Sequence, residues 1–149
     1  RGEIKRKLPL MPVKQNNELV LKSKTTKKEK KLLKTSAAHL KNMIKGVREG
    51  FRFVLQICSV HFPMTVNIEK NFVIIKNFLG EIKERKARIL PQVDVRIEND
   101  VIKVEAADKE AAGQTAANIE AATRISKRDR RIFQDGIFII EKAGKRLLE

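Results

Sequence analysis

The sequence predicts an α+β fold, on three observations. Two hairpins follow from pairing arithmetic, two segments carry helix caps with helical spacing, and the strands run consecutively between the helices. Runs of antiparallel strands with helices on one face define that class. The chain divides near Gly50 into residues 1–50, with two strands and a long basic helix, and residues 51–149, an α+β unit with a basic tail.

Ile4 and Leu8 bracket a charged, extended stretch ending at Pro9 and Pro12. Lys14 to Asn17 reads as a polar turn and Glu18 to Ser23 as a short strand. Thr26-Lys27-Lys28-Glu29 fits a capping box, the threonine accepting from a helical N–H while the glutamate reaches back. The following helix sets Leu33, Ala37, Leu40, Ile44, Val47 and Phe51 on one face, with lysines crowding the rest. Gly50 is placed to end it in a left-handed conformation.

From Phe51 to Cys58, Phe51, Phe53, Leu55 and Ile57 alternate with Arg52, Val54, Gln56 and Cys58, giving a strand with one strongly apolar face. A two-residue turn at Lys70-Asn71 would set Ile68 opposite Val73 and Val66 opposite Ile75. One at Asn99-Asp100 would set Ile97, Val95 and Val93 opposite Ile102, Val104 and Ala106. A slip of one residue would scatter both apolar faces. Asp108 can cap a small-residue helix running to about Arg124, where Gly113 needs close packing to offset its poor propensity. Ser126 to Asp129 signals another cap and a turn or two of helix, Gly136 closes it, and Ile137 to Glu141 reads as the last strand.

Of 149 residues, 33 are Lys or Arg and 18 are Asp or Glu, for a net charge of +15. Residues 1–50 hold 15 basic and 4 acidic residues (+11), 51–126 hold 11 and 10 (+1), and 127–149 hold 7 and 4 (+3). So large a one-signed excess points to a polyanion partner. No apolar run approaches the ~18 residues of a membrane span, so no membrane partner is expected. Cys58 is the single cysteine, which gives no disulfide framework and suits a reducing compartment. Arg1 is not an initiator methionine, so the chain is expected either to begin inside a longer protein or to be shown without its start.

Site chemistry is thin. Cys58 and His61 have the spacing of half a zinc site, but the second half is missing, since His39 is the other histidine. Ser59 and His61 lack an orienting acid, glycine-rich phosphate loops are absent, and Glu81 with Glu84 reads as charge balance. No enzyme, cofactor or small-molecule substrate is expected. Three basic clusters remain as RNA-binding candidates: Lys83, Arg85, Lys86 and Arg88; Lys127, Arg128, Arg130 and Arg131 at a helix start; and Lys142, Lys145 and Arg146 after the last strand. A stacking platform for single strands is not expected, because Trp and Tyr are absent and the seven Phe are assigned largely to the core. Backbone and shape recognition of folded RNA fits better.

NMIKGV (Asn42 to Val47), GFRF (Gly50 to Phe53), HFP (His61 to Pro63), NFLGE (Asn77 to Glu81) and KRDRRIFQDGIFIIEK (Lys127 to Lys142) occur in that order. Together they resemble the universal large-subunit ribosomal protein six family, eukaryotic large-subunit protein nine. Ser59 to Pro63 replaces the glycine-tyrosine-arginine signature of the bacterial branch, which points to the archaeal and eukaryotic branch. The resemblance implies two tandem small domains, each an antiparallel sheet packed by helix, the first incomplete in this chain. It also implies a structural role in the cytoplasmic large ribosomal subunit, on ribosomal RNA near the factor-binding region, with neighbouring ribosomal proteins including the stalk base. The alternative is a free-standing basic RNA-binding regulator.

Overall fold

A computed structural model describes residues 12–15, 18–21, 26–126 and 128–147. The expected stretch from Ile4 to Leu8, and Lys127 of the second cluster, lie outside the described residues. Strand β1 (Val13–Gln15) pairs antiparallel with β2 (Glu18–Val20), Val13 opposite Val20. Lys14 and Gln15 therefore belong to a strand, not to a turn. Alternation of apolar Val13 with polar Lys14 is already a strand pattern, which the polar neighbours obscured.

Helix α1 (Lys27–Arg48) begins at Thr26, whose Oγ1 accepts from the Glu29 N–H at 3.4 Å. Glu29 Oε2 does not reach back; it is buried without a hydrogen-bond partner among the described residues. Gly50 ends the helix at φ +76, its N–H on the Gly46 carbonyl. The apolar stripe is not the most buried face: Leu33, Ala37 and Leu40 are half-buried and Ile44 and Val47 exposed, while Ser36 and Gly46 are buried. The contacting side carries His39, Met43 and Gly46, about a quarter-turn away at 3.6 residues per turn. At Gly46 an added Cβ would fall 1.9 Å from the Ala107 carbonyl oxygen, so glycine sets how closely the helix sits. Phe51, read as the end of that stripe, opens the next strand and is core.

Strand β3 (Phe51–Cys58) is followed by β4 (Thr65–Glu69), β5 (Phe72–Lys76), a 3-10 turn at Phe78–Gly80 and β6 (Arg85–Arg88). Then come β7 (Val93–Glu98), β8 (Val101–Ala106), α2 (Lys109–Ala122), β9 (Gly136–Lys142) and β10 (Lys145–Arg146). One sheet has the order β10-β9-β3-β8-β7 and the other β4-β5-β6, with every pairing antiparallel. Both hairpin registers are those expected: Val66 faces Ile75, Ile68 faces Val73, Val95 faces Val104 and Ile97 faces Ile102. Each turn opens on a left-handed residue, Lys70 and Asn99. Val73 and Ile75 are fully buried while Ile68 is exposed, because β4 is an edge strand.

Helix α2 is capped by Asp108, whose Oδ1 accepts from the Glu110 N–H at 3.0 Å. It packs on strands of both sheets, and a single core joins Leu55, Ile102, Val104 and Ile137 to Val73, Ile75 and Phe78 through Ala112, Ala116 and Ile119. The close approach that Gly113 needed is there: a Cβ on it would stand 3.3 Å from the Phe53 ring. The short helix expected after Ser126 does not form. Asp129 supplies a single turn, its carbonyl accepting from the Ile132 and Phe133 N–H groups. Nor is the C-terminal basic cluster a tail, since Lys145 and Arg146 pair as β10 with Lys142 and Glu141 of β9.

These burials separate two otherwise similar changes. Leu55→Ala removes a fully buried side chain at the centre of β3 and should cost about 2–5 kcal/mol. Ile44→Ala acts on a side chain 54% exposed and should cost less than about 1 kcal/mol. Urea unfolding of the two variants checks this; equal losses would place the α1 stripe in a core after all.

Candidate nucleic-acid interface

The first basic cluster splits along β6. Arg85 lies opposite Ile75 and Ala87 opposite Val73, on the core side, whereas Lys86 and Arg88 alternate outward and are exposed. Lys83 precedes the strand and is exposed. Arg85 is half-buried and its guanidinium is occupied. It donates to both Glu81 carboxylate oxygens at 2.9 and 2.7 Å and to the carbonyls of Ala122 and Arg124 at 2.9 and 3.2 Å. It also lies 4.2 Å from the centroid of the Phe78 ring. Two of its bonds satisfy carbonyls at the end of α2 that have no helical partner. Arg85 is thus a structural cation, and its hydrogen bonds hold the Glu81 carboxyl below the usual range.

In the second cluster the guanidinium of Arg128 sits 4.9 Å from the Phe133 ring centroid, and that ring is 5.1 Å from the His61 ring. Asp129 turns back on Arg131, accepting from its backbone N–H at 3.0 Å and its guanidinium at 3.2 and 3.1 Å. Those bonds hold the Asp129 carboxyl low. The expected helix start, with free N–H groups for phosphate, is therefore absent; an aspartate takes the N–H instead.

Asp135 fixes the loop on which this cluster leans. It is buried, and its Oδ1 accepts from the N–H groups of Val60 and His61 at 2.6 and 2.8 Å. Its Oδ2 is 2.6 Å from His61 Nδ1. Burial alone would raise its pKa, but the His61 backbone and ring and the Val60 N–H outweigh it and hold the carboxyl below its ordinary value. The neighbouring loop is tied in turn by Asn77 Nδ2 donating to the Pro63 carbonyl at 2.9 Å, with Asn77 and Leu79 both left-handed. The HFP and NFLGE segments thus form one end of the molecule, and the charge of Arg128 reaches Glu81 there.

The third cluster lies elsewhere. Lys142 is six residues along β9 from Gly136, about 20 Å at ~3.3 Å per residue. Lys142, Lys145 and Arg146 are exposed, and the Ala143-Gly144 turn between them lines a groove with Lys45 and Glu49 at the end of α1. The fold therefore joins the first two clusters and separates the third.

Some features escaped the sequence reading. Arg124, just past α2, is exposed and lines a groove with Arg130 and Arg131. Val60, Phe62, Ile82 and Ile132 are exposed at the same end, Ile82 completely. The one sequence signal was Ile82 alone among Glu81, Lys83 and Glu84. The phenylalanines are less confined to the core than expected: Phe51, Phe53 and Phe78 are buried, while Phe62, Phe72 and Phe138 are exposed. Among the described residues no group of three or more His, Cys, Asp or Glu could hold a metal, and no helix is long and apolar enough to cross a membrane. Cys58 is half-buried, and burial, with the charges of Asp100 and Asp135, pushes its thiol up, away from a nucleophilic thiolate.

A family model described as Ribosomal protein L6 matches residues 62–136. The chain is similar to a protein of Methanococcus vannielii named large ribosomal subunit protein uL6, 47% identical over 146 residues, which cover 95% of this chain and 80% of that one. It is also similar to the protein of the same name from Methanobrevibacter smithii, 44% identical over 128 residues, covering 86% and 72%.

Asp135→Asn keeps an oxygen for the two N–H groups but loses the carboxylate–His61 bond, and should destabilise by about 1–3 kcal/mol near neutral pH. The folded carboxyl sits below its ordinary value of 3.8, so its contribution is complete above that pH and is lost as pH falls through the folded value. Urea midpoints of wild type and variant should differ at neutral pH and converge well below pH 3.8; a gap that persists there would show that charge is not involved. In the same assay Arg85→Ala should lose about 1.5–3 kcal/mol, and Lys86→Ala or Arg88→Ala no more than about 0.5 kcal/mol.

Proposed function

The chain belongs to the ribosomal protein L6 family and is a structural, non-catalytic constituent of the large ribosomal subunit, and from this premise we propose which of its surfaces meets the RNA. The reading rests on one observation above all. Arg128, Arg130 and Arg131 precede the Asp135 that anchors the Val60–His61 loop, and the charge of Arg128 reaches Glu81, the partner of Arg85 in the cluster that also carries exposed Lys83, Lys86 and Arg88. Cations held in place lose little freedom when they meet phosphate. Lys142, Lys145 and Arg146, with the lysines of α1, form a second contact at the far end. Recognition is of backbone and shape, through phosphates and ribose hydroxyls. Arg85 and Lys127 were among the candidates: Arg85 supports the surface from within, and Lys127 belongs to the same charged segment.

We place the contact near the factor-binding region of the cytoplasmic ribosome, with the stalk base among its protein neighbours, as the family resemblance implies. We also divide the chain at Gly50 into a first unit, 1–50, and a second, 51–149. The division is supported by the core that starts at Phe51 and contains no α1 side chain. The β7–β8 hairpin is the surface least suited to RNA, because Asp94, Glu98, Asp100 and Glu105 would meet phosphate with like charge.

Sedimentation tests the assignment: the chain should travel with large subunits, while a protein found mainly free would favour a separate RNA-binding regulator. On ribosomal RNA fragments, log affinity should fall with log salt by roughly 0.7–0.9 per phosphate contact. Changing Arg128, Arg130 and Arg131 together to Ala should flatten that slope and reduce incorporation at raised salt. An unchanged slope would leave the cluster as mere solvated surface.

A further inference from the structure

Between the end of α2 and residues 124–125 and 130–135 lies an open groove of about 860 Å³, within the size range of small-ligand sites. The Phe138 ring lines it, and Gly136 lets that ring lie against the backbone: a Cβ there would stand 3.1 Å from the ring. Arg124 and Arg130 line the groove without an ion pair among the described residues, and Arg131, held by Asp129, is 90% exposed. Two carboxylates also face it. Asp135 is fully used by Val60 and His61. Glu120 Oε1 accepts from the Ile139 N–H at 3.3 Å, and its Oε2 takes no hydrogen bond from the described residues.

A supported aromatic face, guanidinium groups and an acceptor-only oxygen match the three parts of a nucleotide. The ring suits a base, the arginines suit its phosphate, and the carboxylate oxygen suits an exocyclic amino group. We propose that this groove takes one extruded nucleotide of the large-subunit RNA, an amino-bearing base against Phe138 and its phosphate on Arg124 and Arg130. This rests on the reading that the chain sits on ribosomal RNA. It goes beyond that reading, because a single base is held, which backbone and shape recognition does not require.

The test uses whole large subunits carrying the wild-type chain, Phe138→Leu, Phe138→Tyr or Arg124→Ala, probed with dimethyl sulfate. With Phe138→Leu one adenine or cytosine should gain reactivity by roughly five-fold or more, and Phe138→Tyr should restore protection. Arg124→Ala, at an exposed residue outside the three basic clusters, gives the same readout if Phe138→Leu fails to assemble. In parallel, benzoylphenylalanine at position 138 should cross-link to a single RNA nucleotide. No reactivity change in any variant that has assembled, or a cross-link to protein, overturns the proposal while leaving the ribosomal assignment intact. Failure of the wild-type chain to sediment with subunits would instead overturn the reading beneath it.

Discussion

Helix α2 packs against two sheets at once, and that is possible only because its inner face is made of small side chains. Ala112 and Ala116 are fully buried, and Gly113 admits the Phe53 ring. Larger residues there would push the helix off one sheet and split the shared core. The remaining bonds on α2 are polar and act in the same direction. Thr115 Oγ1 accepts from the Leu90 N–H and Asn118 donates to the Arg88 carbonyl, which fasten the helix to the chain leaving β6. Thr123 accepts from the Ile137 N–H and Arg85 donates to the Ala122 and Arg124 carbonyls. The helix is thereby bonded to both sheets as well as packed between them.

Much of this was legible where local pattern and tertiary demand agree. The two hairpin registers follow from period-two alternation, because any slip would expose buried valines and isoleucines. The caps at Thr26 and Asp108 and the stop at Gly50 are short-range chemistry and were equally plain. The misses have two causes, a partner distant in sequence and a local competitor. The Leu33–Val47 stripe is genuinely amphipathic, yet the packing side of α1 is chosen by Gly46 meeting the Ala107 carbonyl, a contact invisible in helical periodicity. Ser126 looked like a cap, but Asp129 captures Arg131 and stops the turn from propagating.

The candidate interface shows the same division more sharply. Its three basic clusters could be read from composition, but the role of each cation could not. Arg85 and Arg88 are neighbours in a charged run; one is bonded through its whole guanidinium and the other is exposed. Only the pairing of β6 with β5, which turns Arg85 inward beside Ala87, decides between them. Arg124 was overlooked for the converse reason. It is isolated in sequence and joins Arg130 and Arg131 only when the chain folds back.

A basic protein that binds a rigid polyanion must hold its own like charges close before the partner arrives, and this chain does so with internal carboxylates. Glu81 lies on Arg85, Asp129 on Arg131, Glu84 on Lys76, and Asp135 on His61. The exposed pairs add little stability. Their geometric effect is to tie particular loops and strand ends, Glu81 to the start of β6 and Asp129 to the turn at Arg131. Asp135 matters most because it is buried and bonded three times, so the 59–63 loop and the 128–135 segment cannot separate without leaving N–H groups unsatisfied. Acidic residues in a chain of net charge +15 are therefore not simply a reduction of its affinity for RNA; they bond to and orient arginines of the proposed surface.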